Sequence, residues 1–175
     1  MAAPVYERPA PGEYAEWYAG YVKAVGDEDL LELLARQWYD VASLASSLPL
    51  GKAEYAYAPG KWMLKEVIGH LSDAERVFSY RILRIARADE TPLAKFDENA
   101  WMGPAKFTER KLGDLVTEFQ AIRQATLAQL RHLPPESVTR IGIASGWPVS
   151  VRALGYIIAG HVQHHLGVIR ERYLA

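Results

Sequence analysis

Four stretches of this chain repeat apolar residues at spacings of three and four, the period of a helix with one buried face. In the first, Leu30, Leu33, Leu34, Trp38, Val41, Ala45 and Leu48 keep that spacing until Pro49 ends it, which predicts a helix over 27–48 with Asp27 as its N-cap. The second carries Val67, Leu71, Ala74 and Phe78 on one face and predicts a helix over 62–87. Arg76, Arg81, Arg84 and Arg87 are expected on its solvent side. The third runs over 110–132, opened near Thr108, with Leu112, Leu115, Val116, Phe119, Ile122, Thr126, Leu127 and Leu130 as its stripe. The fourth, over 151–173, is capped by Ser150 and carries Leu154, Ile158 and Val168.

Between these helices lie long connections. Residues 49–61 hold turn signals at Pro49, Gly51 and Pro59-Gly60. Residues 89–107 read as irregular, with Asp97 and Glu98 as caps in a loop that could roof a site. Residues 133–149 contain Pro134-Pro135 and Gly146-Trp147-Pro148, and Ile141-Gly142-Ile143 could pair only briefly as a strand. Residues 1–25 combine three prolines with Tyr14, Trp17, Tyr18 and Tyr21, the pattern of an extended arm that packs on the body. The expected fold is all-α, one four-helix bundle domain spanning 1–175 with long connecting loops that rule out simple up-and-down hairpins throughout.

Polar residues placed on those apolar faces carry the chemistry. His161 and His165 are four apart, one above the other on the last helix, at positions where core residues are expected. His70 points inward from the second helix, three from Val67 and four from Ala74. Buried imidazoles need a partner. Three nitrogen ligands with an open fourth position are the pattern of a catalytic metal site, with each nitrogen expected about 2.0–2.1 Å from the ion. Val162 follows His161, so the glutamate that serves as base in the zincin motif is absent. Asp73, three after His70, is the candidate to orient that ligand or accept a proton. His164 stands beside the pair and could support it; His132, at the end of the third helix, reads as a surface or capping residue.

Bulk properties narrow the class. A net charge of -1 gives no electrostatic reason to expect nucleic acid or an anionic membrane. There are no cysteines, hence no thiolate ligands, and any thiol nucleophile would have to arrive as a co-substrate. No run approaches transmembrane length, and residues 1–8 lack the apolar core of a signal peptide, so the default expectation is a cytoplasmic protein.

Five motifs in order, Ala58-Pro59-Gly60-Lys61-Trp62, His70-Leu71-Ser72-Asp73, Thr91-Pro92, Phe96-Asp97-Glu98-Asn99-Ala100-Trp101, and His161 through His165, resemble the DinB/YfiT-like superfamily of metalloenzymes, its YfiT or bacillithiol transferase-like branch most closely. The resemblance covers residues from about 55 to the C-terminus. It implies a four-helix bundle with nickel or zinc on His70, His161 and His165, a homodimer, and a small-molecule substrate. Members are described as metal-dependent hydrolases, and related enzymes transfer low-molecular-weight thiols such as bacillithiol or mycothiol. Two departures concern the surroundings of the triad: the branch often has a histidine where this chain has Gly69, and another where it has Val168.

Overall fold

The computed structural model describes residues 4–174. The first three residues of the predicted arm, and with them part of the signal-peptide reading, lie outside the described residues, as does Ala175. Four long helices carry the fold: α2 (Leu30–Ser46), α3 (Leu64–Ala86), α5 (Leu112–Arg131) and α6 (Val151–Val168), the last extended by a π-helical turn over Ile169–Tyr173. A short helix α1 (Ala19–Ala24) precedes them, and another, α4 (Glu98–Ala105), stands between α3 and α5. Strands β1 (Ile141–Ala144) and β2 (Trp147–Ser150) form an antiparallel hairpin before α6.

Several expectations are corrected. The segment 89–107 is not irregular throughout: Asp97 accepts from the backbone of Asn99 and Ala100 and starts α4. Residues 141–150 hold a two-stranded sheet, so the molecule is mostly helical rather than all-α, and short regular elements interrupt the connections 87–111 and 132–150. Ser145 and Gly146 both take positive φ, 55° and 83°, which is the backbone twist a two-residue hairpin turn requires. The N-cap of α2 is Asp29, which accepts from Glu32 N, rather than Asp27. Lys111, with no side-chain cap, opens α5 in place of Thr108. Ser150 caps α6 through Ala153 N, as its position suggests.

The helices do not follow one another around the bundle. The close packing is α2 on α5 and α6, and α3 on α5 and α6, so the consecutive helices α2 and α3 stand on a diagonal. Direction follows from the two apolar clusters. One joins Leu30 and Leu34 of α2 to Ile82 and Ile85 of α3, Leu130 of α5 and Leu154 of α6. The other joins Val41 and Leu44 to Leu64 and Ile68, then Leu115 and Leu166. Thus α3 and α5 are parallel neighbours, as are α2 and α6. Parallel neighbours cannot be joined by a tight turn, so residues 87–111 must travel back along the bundle. Leu93 pairs with β1 near one end, and Met102 and Phe107 join the apolar cluster at the other.

A buried polar network crosses the middle. Arg123 of α5 donates to both carboxylate oxygens of Glu75 on α3, at 2.8 and 2.7 Å. It also donates to Leu34 O and Gln37 Oε1 of α2. Gln37 in turn donates to Ala159 O of α6 at 2.7 Å. Each polar atom has a partner, which is the condition for burying charge. Nor is the arginine run of α3 wholly solvated. Arg81 is only 2% exposed and donates to Ala94 O and Ser145 Oγ, holding the return segment and the hairpin turn against α3.

The N-terminal arm is tied to this body. Tyr6 donates to Leu130 O, Tyr156 donates to Tyr6 O, and Glu13 accepts from Ser150 Oγ and Arg152 Nε. Helix α1 lies directly on α6 at Gly160, where a Cβ would fall 1.9 Å from Tyr21 O. Because that obstacle is backbone, Gly160→Ala should push α1 off α6 at a cost of about 1–3 kcal/mol. The expected result is a lower denaturation midpoint and faster proteolytic cleavage within residues 10–28.

Candidate metal centre

His70 lies in the second turn of α3, and His161 and His165 lie in the C-terminal half of α6. Antiparallel packing of α3 on α6 brings them together where the two apolar clusters meet. His161 Nε2 is 3.0 Å from His70 Nε2 and 3.1 Å from His165 Nε2. One ligand nitrogen from each ring falls within 4.8 Å of the other two. The one-turn spacing therefore selects His165 and not His164, which is exposed and faces Tyr21.

The cluster fits a cation better than it fits hydrogen bonds. A ring nitrogen carries either one proton or one lone pair, so His161 Nε2 can satisfy only one well-aligned partner, yet it faces two. Nitrogens about 2.0–2.1 Å from one ion in tetrahedral geometry are about 3.3 Å apart, close to the two His161 separations here. Electrostatics agree. Burial pushes His70 down to about 4 and His165 down to about 3 from the ordinary 6.5. Burial, reinforced by the neighbouring histidines and Arg123, lowers His161 well below it. All three imidazoles are neutral near pH 7, the form in which they bind metal.

These shifts also predict how the metal-free protein responds to acid. The folded state holds the rings neutral, while the unfolded chain takes up protons near pH 6.5. Below that pH the unfolded state binds more protons, so stability falls as pH drops from about 6.5 towards 4, and is insensitive to these groups above it. Urea midpoints measured from pH 8 to 4 should show this decline, and zinc should delay its onset.

Asp73 does not join the cluster. Three positions along a helix leave it about 60° around the axis from His70, enough to turn it towards α5. Its carboxylate lies 3.6 Å from Arg76 and lines a separate cavity with Trp101, Phe107 and Glu118. Burial raises its pKa, Glu118 adds to the rise, and Arg76 and Arg110 oppose it. Among the described residues, no carboxylate hydrogen-bonds any of the three rings. At Gly69, the first of the two departures, a Cβ would lie 2.5 Å from the Phe107 ring, so a histidine there would require that ring to move. His132 is exposed at the end of α5, its Nδ1 on Ala128 O.

Several of the remaining walls come from residues that periodicity did not single out. Tyr21 of the arm packs edge-on to His161 at 5.4 Å between centroids, and Trp62 lies 4.9 Å from His70. Burial raises the Tyr21 pKa, so it stays a phenol able to donate. A cavity of about 550 Å³ opens beside His70 and His161, and another of about 290 Å³ beside His165. The start of α4 straddles them, Glu98 lining the larger and Asn99 the smaller. The signals for these were the arm's aromatic run and the Phe96–Trp101 motif.

The sequence pattern of the DinB superfamily matches residues 33–169, which contain all four long helices except the first three residues of α2. The chain belongs to the DinB superfamily. This DinB-superfamily chain superposes on YfiT from Bacillus subtilis with a TM-score of 0.75 and 17% identity, over 94% of this chain and 90% of that one. YfiT is described as a probable metal-dependent hydrolase with an unusual four-helix bundle topology. At that identity the likeness concerns the fold. No curated protein sequence matches the chain significantly. Among the described residues of this DinB-superfamily protein, no helix is long and apolar enough to cross a membrane.

Proposed function

We propose that this protein is a metal-dependent enzyme in which His70, His161 and His165 hold nickel or zinc, and that it transfers a low-molecular-weight thiol to an electrophilic small molecule. The observation that carries the reading is the convergence of three neutral imidazole nitrogens at the mouths of two cavities. An ion held by neutral ligands keeps its full charge and so acidifies a bound water or thiol. The protein's own residues do the rest. The three rings fix the ion's position, the aromatic side chains around them exclude water, and the Tyr21 phenol can donate to a group in the larger cavity. In the reaction the thiol gives up its proton and its sulfur lone pair forms the bond to the electrophilic carbon. The leaving group departs with the electrons of the bond that breaks, and the proton passes to it or to water.

Hydrolysis by activated water is the second reading, favoured by the description of YfiT. One assay separates the two. The zinc- or nickel-loaded protein is offered a panel of alkyl halides, epoxides and esters with and without an added thiol. Turnover that requires the thiol supports transfer; turnover with water alone supports hydrolysis. Absence of both, with metal bound stoichiometrically, leaves a metal-binding protein without catalysis. Assembly as a homodimer belongs to the same proposal, and light scattering at micromolar concentration tests it.

A further inference from the structure

The two cavities differ in chemistry as well as size. The larger is walled by five aromatic rings, Trp17, Tyr18, Tyr21, Phe78 and Phe96, and its volume of about 550 Å³ is that of a site for a small organic molecule. Rings arranged around a cavity favour a planar apolar body, through edge-on and offset contacts. Its charged groups, Lys95 and Glu98, are of opposite sign and give no net preference for an ion.

The smaller cavity is polar along one side, with Tyr57, Lys61, Asn99 and His164 around His165. No aspartate or glutamate lines it, and among the described residues Lys61 forms no ion pair. Lys61 is exposed, and an exposed ammonium with no ion-pair partner beside neutral donors gives a modest preference for an anionic ligand. The histidines stand between the two spaces, with His70 and His161 on one side and His165 on the other.

Building on the proposed transfer reaction, we infer that the centre takes two ligands at once. An electrophile with an aromatic body occupies the larger cavity, and a carboxylate-bearing thiol occupies the smaller, its carboxylate against Lys61. Separate entry lets the two reactants meet at the histidines without sharing one opening.

Binding tests this without reference to turnover. Zinc-loaded protein is titrated with N-acetylcysteine by calorimetry and with N-phenyl-1-naphthylamine, a neutral aromatic probe with no zinc-binding group, by its fluorescence. Lys61→Met should weaken N-acetylcysteine about two- to fivefold, the loss expected for a contact to an exposed charge, and leave the naphthylamine unchanged. Lys61→Arg should restore the affinity. Phe96→Ala and Tyr18→Ala should weaken the naphthylamine about tenfold and spare N-acetylcysteine. Each probe should bind with the same affinity when the other is saturating. Competition between them, or N-acetylcysteine binding indifferent to Lys61, overturns the inference. Independent binding of both probes in a protein that turns over no electrophile would instead sink the transferase reading and leave the divided site standing.

Discussion

Replacing His161 with alanine is expected to release the metal and end turnover. Its Nε2 is the only one of the three that lies within about 3 Å of both others, so it is the hinge of the ligand set. Loss of a supporting residue around a metal ligand typically weakens binding about 10–100-fold; loss of a ligand itself should exceed that. The measurement is metal content after dialysis, together with melting curves with and without zinc. At a hundredfold excess over its dissociation constant, a ligand stabilises the native state by about 2.7 kcal/mol. For a chain of this size that raises the wild-type midpoint by about 5–10 °C. His161→Ala should show no such shift. Its metal-free form should also tolerate acid better than the wild type, because the ring whose charging burial opposes most is gone. A variant that keeps zinc and its stabilisation would refute the ligand assignment.

The largest effect on stability is expected from Arg123→Met. Arg123 is fully buried, and its removal strands the Glu75 carboxylate, 2% exposed, with no cation beside it. Breaking one half of a buried pair costs about 3–5 kcal/mol, which is on the order of 10 °C in midpoint. Replacing both partners removes the stranded charge, so Glu75→Met with Arg123→Met should recover much of the loss. Urea denaturation of the wild type, both single variants and the double variant measures the coupling directly. If the double variant is no better than Arg123→Met alone, the cost lies in the bonds to Leu34 and Gln37 rather than in the charge.

The two predictions also mark what could be read from sequence. His161 and His165 are legible because one element carries both and helical spacing alone places them together. His70 is legible because it interrupts an apolar stripe. The Glu75–Arg123 pair joins positions 48 apart on different helices, and each member alone looks like an ordinary surface charge. The solvent-side expectation for Arg81 fails for the same reason. Its burial depends on the return of residues 87–111 over α3, which no local pattern announces. Helix α4 was missed because Gly103 and Pro104 break an eight-residue segment too short to show a period. The cavity walls were out of reach because they draw on the arm, α4 and the helices together.

The parallel pairing of α3 with α5 has a kinetic consequence. Bundles of consecutive antiparallel helices fold quickly because most contacts are local in sequence. Here a helix hairpin formed from α2 and α3 would put side by side two elements that end on a diagonal, so each early helix must wait for a later one. His70 meets His161 across 91 positions. During synthesis the chain can complete α2, α3 and α5 and still lack two of its three imidazoles. On the proposed metal centre, capture of the ion would be the last act of maturation, and a chain ending before α6 is expected to leave the ribosome unable to retain zinc.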